Sequence, residues 1–390
     1  MRMAMLLRLV GAVVVVFLAF GSGHAQSLIP GTVHTPLTGP FTCPSGFVGA
    51  AQCYSSYITC PEVANVPQID FYYGVVPAKG TQKGTVVFFN GGDGNGIGFS
   101  QYVPVYVNNG YQTIQVEWGT TSIDEPWEEL GPPLTTPWSI KTAACRPAGL
   151  LAFLFQTYEY DQTTMKPTGA MCAQGTSAGG AAIAYSLADY GSGSYLDNAE
   201  LVSGPPLSDI ARGCDGSFAD VTVCPGTTCN TGGEGGWLDS PKYNDANGAI
   251  DGWTGISTTN PNACTAGTGY SSNWTNMSII YSPGAPTFSY PQTGMSGWLC
   301  SNQGVVTCGP NGCVPCTGND CQNNSAIEGQ FFYSKVTSPL TVYRVDGCNG
   351  PEGVDVGTVP GLSETGLVAI QNDMVGNGSS TPAQCIMRHN

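Results

Sequence analysis

A serine between two glycines is the first group in this sequence whose setting could support chemistry. Residues 175–179 read G-T-S-A-G around Ser177, after an apolar stretch from Met171 and before a run of small residues ending at Ala188. A G-x-S-x-G turn between a strand and a helix exposes the serine oxygen at a bend too tight for flanking side chains. The chain has 54 glycines, so the motif alone has limited specificity. With the strand and helix around it, the motif predicts that Ser177 is a nucleophile.

A serine nucleophile needs a base, and histidine is the usual one. The chain has three histidines, of which His24 falls within a predicted signal peptide and His34 within an irregular N-terminal arm. The chain order of serine, acid and histidine then favours His389 as the base. The alternative is that His389 is an ordinary solvated side chain near the C-terminus.

The third member of such a triad is expected to be a carboxylate just after the penultimate strand. That strand is predicted at residues 339–345, which read PLTVYRV. Asp346 follows it directly and Glu352 lies in the turn beyond, while Asp355 is a third choice. The sequence does not decide between Asp346 and Glu352, and at least two of the three carboxylates are ordinary turn or solvated groups.

Two cysteines lie close to these candidates. Cys348 is in the loop that holds the acids, and Cys385 precedes His389 by four residues. A disulfide between them would tie the acid loop to the histidine loop, so we predict that Cys348 and Cys385 are bonded.

A glycine-rich loop could supply donors for the oxyanion that forms during acyl transfer. Residues 90–94 read NGGDG and follow a predicted buried strand, an arrangement similar to the HGGG-type loop. The backbone N–H groups of Gly91, Gly92 and Asp93 are the candidates, with that of Ala178 as the further donor. The alternatives are a plain glycine-rich turn or a phosphate cradle, although neither common phosphate-binding motif occurs there.

The elements that must position these residues alternate between strands and helices, which favours a mostly parallel sheet covered on both faces. A continuous apolar run such as GTVVFF at 84–89 is typical of a strand buried on both faces. The predicted strands are 68–76, 84–90, 112–118, 199–203, 339–345 and 384–387, and the predicted helices are 102–109, 139–158 and 362–374.

The composition divides the chain into segments. Residues 1–25 are predicted to be a secretory signal peptide, with a basic start, an apolar centre and small residues before the cleavage point. Residues 26–65 form a cysteine-containing arm, and 66–205 with 336–390 form an α/β core. Residues 206–335 are rich in Gly, Asn, Thr and Cys and carry four tryptophans, which predicts an inserted, disulfide-held cap rather than a linker.

Charge and cysteine content exclude several classes of partner. The net charge of −15, with only 10% charged residues, speaks against nucleic acid and anionic membranes. No run of apolar residues beyond the signal peptide is long enough to span a membrane. Sixteen cysteines in an exported chain predict disulfides, and we favour these over zinc because no histidine lies near the C-terminal cysteine cluster at 308–321. We therefore expect a secreted protein, extracellular or periplasmic.

Several of these features resemble the α/β-hydrolase superfamily. They are FFNGG at 88–92, GTSAGG at 175–180, an acid after PLTVYRV, and the terminal His389. The G-x-S-A-G-G form is similar to that of secreted carboxylesterases, pectin-acetylesterase-like enzymes and polyhydroxyalkanoate depolymerases. The resemblance covers about 85–210 and 336–390, and leaves the cap unexplained.

The resemblance implies an α/β-hydrolase fold and a serine esterase that needs no metal or organic cofactor. By similarity the nucleophile is Ser177, the base is His389, the acid is Asp346 or Glu352, and the oxyanion site is formed by Gly92, Asp93 and Ala178. The expected substrate is a small or polymeric ester. The alternatives are a peptidase on the same fold and a non-catalytic binding protein of hydrolase ancestry.

Overall fold

The structure is a computed structural model. It describes residues 28–50, 52–63, 66–91, 99–120, 123–124, 127–128, 140–210, 272–281, 288–300, 305–309, 312–315, 325–348, 353–359, 361–377 and 384–389. The predicted signal peptide, most of the predicted cap, and the candidates Gly92, Asp93 and Glu352 lie outside these residues.

The described residues form the following strands and helices. The strands are β1 Thr32–Val33, β2 Thr38–Phe41, β3 Gln52–Thr59, β4 Gln68–Val76, β5 Gly84–Phe89, β6 Tyr111–Thr120, β7 Ile123–Asp124, β8 Tyr160–Asp161, β9 Lys166–Pro167, β10 Ala170–Thr176, β11 Asn198–Val202, β12 Gly294–Cys300, β13 Val305–Gly309, β14 Gly312–Pro315, β15 Leu340–Val345, β16 Thr358–Val359 and β17 Glu364–Thr365. The helices are α1 Val103–Asn108, α2 Ile140–Ala143, α3 Cys145–Tyr158, α4 Ala178–Tyr190, α5 Ser272–Met277, α6 Ser325–Tyr333 and α7 Gly366–Val375, with short 3-10 helices at Ser192–Ser194 and Gly353–Val356.

One large sheet organises these elements. Its strand order is β1-β3-β4-β6-β5-β10-β11-β12-β15, with β2 and β7 attached to β3 and β6. The run from β6 to β15 is parallel, whereas β1, β3 and β4 pair antiparallel. We call the edge where the parallel strands begin the amino edge and the edge where they end the carboxyl edge.

Helices cover both faces of this sheet because its central strands alternate two sets of apolar side chains. On β5, Val87 and Phe89 pack in one cluster with residues of α3 and α4, while Val86 and Phe88 pack in the other with residues of α1 and α7. All six residues of β5 are buried. The α/β fold predicted from the sequence, a mostly parallel sheet flanked by helices, is therefore confirmed.

The sheet contains a strand that the sequence analysis assigned to the cap. Strand β12 pairs with β11 on one side and β15 on the other, so 294–300 belongs to the core although it lies within the predicted insertion 206–335. Its Trp298 is fully buried and stacks on Tyr343 with ring centroids 4.0 Å apart. The segment reads GMSGWLC, and its glycines and serine hide the apolar pattern of a buried strand.

The other difference lies at the C-terminus, where a final strand was expected at 384–387. Residues 384–389 form no strand, so among the described residues β15 is the last strand of the large sheet. The predicted helix of 362–374 is present as α7.

Four disulfides are present among the described cysteines: Cys43–Cys53, Cys60–Cys145, Cys172–Cys385 and Cys300–Cys348. The predicted Cys348–Cys385 bond is therefore wrong. Cys348 follows β15 at the carboxyl edge, whereas Cys385 is bonded near the start of β10, at the amino edge. The length of the parallel strands separates the two sulfur atoms, and each is bonded to a cysteine at its own edge.

Within the described residues, none of the helices has both the length and the apolar character needed to cross a bilayer.

Candidate active site

The turn from β10 into α4 places Ser177 in a strained conformation. Its backbone angles are φ 52° and ψ −119°, in the left-handed half of φ that residues other than glycine rarely adopt. The Ser177 N–H donates to the Val202 carbonyl at 2.9 Å, which anchors the turn to the end of β11. Such a conformation costs about 1–3 kcal/mol and persists only where the surrounding structure imposes it.

Glycines on either side of the serine allow this turn to form. A Cβ atom on Gly179 would overlap the backbone carbonyl of Phe89, and one on Gly175 would overlap that of Gly179. Gly180 differs, because the nearest atom to its added Cβ would be 3.5 Å away. Helix α4 therefore approaches the end of β5 through Gly179, and the motif glycines pack as the sequence predicts.

Two of the predicted oxyanion donors lie in the described part of this edge. Ala178 opens α4, and the first N–H groups of a helix have no partner within the helix. Gly91 follows β5, whose end packs against Gly179. The structure therefore brings Ser177, Ala178 and the segment that leads to Gly91 to the carboxyl edge.

His389 occupies a different place. Its ring Nδ1 lies 3.0 Å from Oδ1 of Asp197, and its Nε2 lies 3.0 Å from the Gly193 carbonyl. Its backbone N–H also donates to Asp197 Oδ1 at 3.1 Å. The backbone N–H of Arg388 donates to the same oxygen. Both ring nitrogens therefore face acceptors, one a carboxylate and the other a backbone carbonyl.

This position separates His389 from Ser177. The other oxygen of Asp197 accepts from the Met171 N–H at 2.9 Å, near the start of β10. At about 3.3 Å per residue, the strand from Met171 to Ser177 spans about 20 Å. His389 therefore lies at the amino edge, too far away to take a proton from Ser177 in this structure, and the predicted pairing of the two does not form.

Asp197, the partner of His389, was not among the sequence candidates. It directly precedes β11 and is buried. A search for triad acids examines residues after strands, because those lie at the carboxyl edge. A residue before a strand lies at the opposite edge, so the sequence offered no signal that Asp197 would meet the terminal histidine.

The predicted acid Asp346 lies at the carboxyl edge, directly after β15. Its Oδ1 accepts from Arg344 Nε at 2.7 Å, and its side chain is 38% exposed. Its backbone pairs with Thr358. Asp346 is therefore a partly solvated carboxylate neutralised by an arginine, and among the described residues no histidine lies beside it for it to orient.

Asp355 makes a different contact at the same edge. It lies in the 3-10 helix after β15, and its Oδ1 accepts a hydrogen bond from the Tyr102 hydroxyl. Burial raises the pKa of Asp355, and the bond from Tyr102 opposes that rise. Burial also holds the pKa of Tyr102 well above its usual range, so the phenol stays protonated and donates.

The interior beneath this edge is acidic and poorly solvated. Burial raises the pKa of Glu200 well above its usual range, with a contribution from Asp373, and raises that of Asp373 to about 6. Gln174 lies opposite Glu200 in the pairing of β10 with β11 and accepts from Tyr106 at 2.6 Å. Carboxyl groups on this face therefore tend towards their neutral form.

No group of His, Cys, Asp and Glu side chains in the described parts of the chain is arranged to hold a metal ion.

Comparisons with known proteins give only distant similarities. No family model and no curated protein sequence matches the chain. Acetyl xylan esterase 1 from Thermoanaerobacterium is 13% identical, with 81% of each chain covered and a TM-score of 0.41. An arylesterase is 13% identical over 78% of each chain with a TM-score of 0.36, and carboxyl esterase 2 of the fungus Tuber melanosporum is 14% identical over 72% with 0.34.

Proposed function

We propose that this protein is an ester hydrolase whose nucleophile is Ser177. The observation that carries the proposal is the positive φ of Ser177 at a strand-to-helix turn packed against β5 through Gly179. A residue held in such a conformation is found mainly at functional sites. In a G-x-S-x-G turn of this kind the serine oxygen lies at the end of the sheet where a substrate binds. Ser177 itself is 7% exposed.

The chemistry proposed is acyl transfer in two stages. Ser177 Oγ attacks the ester carbonyl carbon, and the N–H of Ala178 stabilises the oxyanion that develops on the carbonyl oxygen. The bond to the alcohol breaks and leaves an acyl group on Ser177, which water then removes. The loop from Gly91 through Gly92 and Asp93 is proposed as the source of the second oxyanion donor.

His389 has no part in this proposal, because it lies at the amino edge. The general base must therefore come from the carboxyl edge. Of the two acids predicted from the sequence, Asp346 lies at that edge and is held by Arg344. Glu352 remains a sequence-based candidate outside the described residues.

We also propose that the protein is exported and acts on a small or polymeric ester outside the cytoplasm. The basic and apolar start of the chain supports export. The four disulfides support it as well, because such bonds persist in oxidising compartments.

The displaced histidine favours a second candidate function, that of a non-catalytic binding protein. Among the described residues the other histidine is His34, which is exposed and pairs with Tyr57 in the N-terminal arm. A serine without a histidine base is weakly nucleophilic unless another group accepts its proton. Under this alternative the turn is a scaffold and the site only binds.

Hydrolysis by the purified protein separates these functions. We expect turnover of p-nitrophenyl esters, and a loss of about 10³-fold or more in kcat for Ser177→Ala, since removing a serine nucleophile leaves only residual catalysis. Cleavage of peptide anilides in place of esters would indicate a peptidase. An absence of turnover with either substrate class, from a folded protein, would contradict the proposal and favour the binding protein.

A further inference from the structure

Two residues from distant parts of the chain meet at the edge that carries Ser177. Tyr102 precedes α1 in the connection from β5, and Asp355 lies in the 3-10 helix that follows β15. The phenol hydroxyl donates to the carboxylate Oδ1. The contact therefore joins elements that leave the sheet at two well-separated strands.

The strand order shows where that contact must lie. Strands β10, β11 and β12 stand between β5 and β15 in the sheet, and one buried cluster spans these strands on the face covered by α1 and α7. The cluster contains Tyr102 and Val354, the neighbour of Asp355, so the Tyr102–Asp355 bond lies on that face. Tyr102 packs in the same buried cluster as Val202, the last residue of β11. The carbonyl of Val202 accepts the Ser177 N–H, which ties this cluster to the turn that holds the serine.

The chemical state of Asp355 differs from that of Asp346. Asp346 is partly solvated and paired with the Arg344 cation. Asp355 is paired with a neutral phenol through Oδ1, and Oδ2 accepts no hydrogen bond from the described residues. A carboxylate oriented by one oxygen retains acceptor capacity at the other.

We infer that Asp355 is the general base for Ser177 and that Tyr102 is its positioning residue, an assignment that rests on the proposed function. The Ser177 hydroxyl proton passes to Asp355 as the Oγ–carbon bond forms, and it then passes to the alcohol oxygen as the ester carbon–oxygen bond breaks. In the second stage a water proton passes to Asp355 as the water oxygen bonds to the acyl carbon. That proton returns to Ser177 Oγ as the acid leaves.

Asp355→Asn tests the assignment most directly, because the amide keeps the shape of the carboxyl but cannot accept the proton. We expect kcat for an ester substrate to fall by about 10²–10⁴-fold, the usual contribution of a general base. KM should change by less than about threefold. The wild-type activity should fall at low pH as Asp355 is protonated, and this dependence should be absent in the residual activity of the variant.

Tyr102→Phe provides a readout that a purely structural role would not move. Losing the hydroxyl removes a bond that favours the carboxylate, so the pKa of Asp355 rises and the acidic limb of the rate profile moves to higher pH. Glu364→Gln is the matched control, because Glu364 is a carboxylate bonded by the neutral Asn372 amide, and its profile should match the wild type.

The assignment is overturned if Asp355→Asn, with an unchanged melting temperature, retains kcat within about threefold and keeps the acidic limb. The parallel Ser177→Ala variant separates the two failures. An inactive Ser177→Ala beside an active Asp355→Asn leaves the proposed function standing and removes only the base. An active Ser177→Ala variant would contradict both the proposed function and the assignment of Asp355 as the general base.

Discussion

The two edges of the sheet each carry part of what a serine hydrolase needs. The carboxyl edge has Ser177 on its strained turn after β10, and Tyr102 and Asp355 lie in the connections that follow β5 and β15. The amino edge has a buried histidine and aspartate, His389 and Asp197, bonded at 3.0 Å. A histidine–aspartate contact therefore does not by itself identify a catalytic centre, since its place on the sheet decides whether a nucleophile is within reach.

The hydrogen bonds at the amino edge also show that the histidine there has a structural role. Both ring nitrogens face acceptors, so no lone pair is directed at a substrate. The same carboxylate accepts backbone N–H groups from Met171 and from the C-terminal tail, and the Cys172–Cys385 disulfide fixes that tail to β10. His389 therefore holds the end of the chain to the sheet.

Removal of the Asp197 side chain should cause the largest loss of stability among these variants. It should leave catalytic activity unchanged. Asp197→Ala leaves the His389 ring and buried backbone donors, including the Met171 N–H, without their acceptor. We expect a loss of about 3–5 kcal/mol in the free energy of unfolding, as for other broken buried pairs. Denaturant unfolding measures this loss, and kcat below the unfolding transition should be unchanged.

The exposed histidine supplies a control for Asp197→Ala. His34→Ala removes a solvated contact with Tyr57, and its effect on stability should stay within about 0.5 kcal/mol. A hundredfold fall in kcat for folded Asp197→Ala would contradict the structural role of the amino edge.

A smaller effect on stability, with a larger one on activity, is expected at the carboxyl edge. Gly179→Ala places a Cβ against the Phe89 carbonyl, so the turn that holds Ser177 must shift. We expect a loss of about 1–3 kcal/mol in stability, as for other overpacked sites, and a fall of at least about a hundredfold in kcat/KM.

Gly180→Ala is the matched comparison, because its added Cβ would have its nearest neighbour at 3.5 Å. We expect a stability close to that of the wild type and a kcat/KM within about threefold of it. Melting curves and rates of ester hydrolysis compare the two variants. Equal effects at the two positions would mean that the close approach of α4 to β5 does not control the serine.

The sequence predicted elements whose residue patterns match their environment. Strand β4 was predicted at its observed bounds, 68–76, because it alternates strand-forming residues, and β5 because it is continuously apolar. The turn at Ser177 followed from its glycines. These are local patterns, and local patterns do not depend on the rest of the fold.

The sequence failed where the answer depended on which strands are neighbours. The glycine-rich β12 cannot be told from the predicted cap around it in the sequence, so the sequence predicts 339–345 as the penultimate strand. In the structure β15 is the last strand of the large sheet among the described residues. The sequence therefore places the predicted acid after the penultimate strand and His389 after a final strand at 384–387, which the structure does not form. Chain order gives the order of the strands and helices along the sequence. Only the strand pairing of the folded sheet shows that the segment carrying His389 lies at the amino edge.

Under the proposed function, the reactive Ser177 lies at one edge of the sheet and His389 at the other. Labelling of the purified protein with a fluorophosphonate probe tests it, beside Ser177→Ala and His389→Gln, with near-ultraviolet circular dichroism to confirm folding. We predict that labelling is lost in Ser177→Ala and retained in His389→Gln. Loss of labelling in both folded variants would show that His389 reaches Ser177 and would contradict the account.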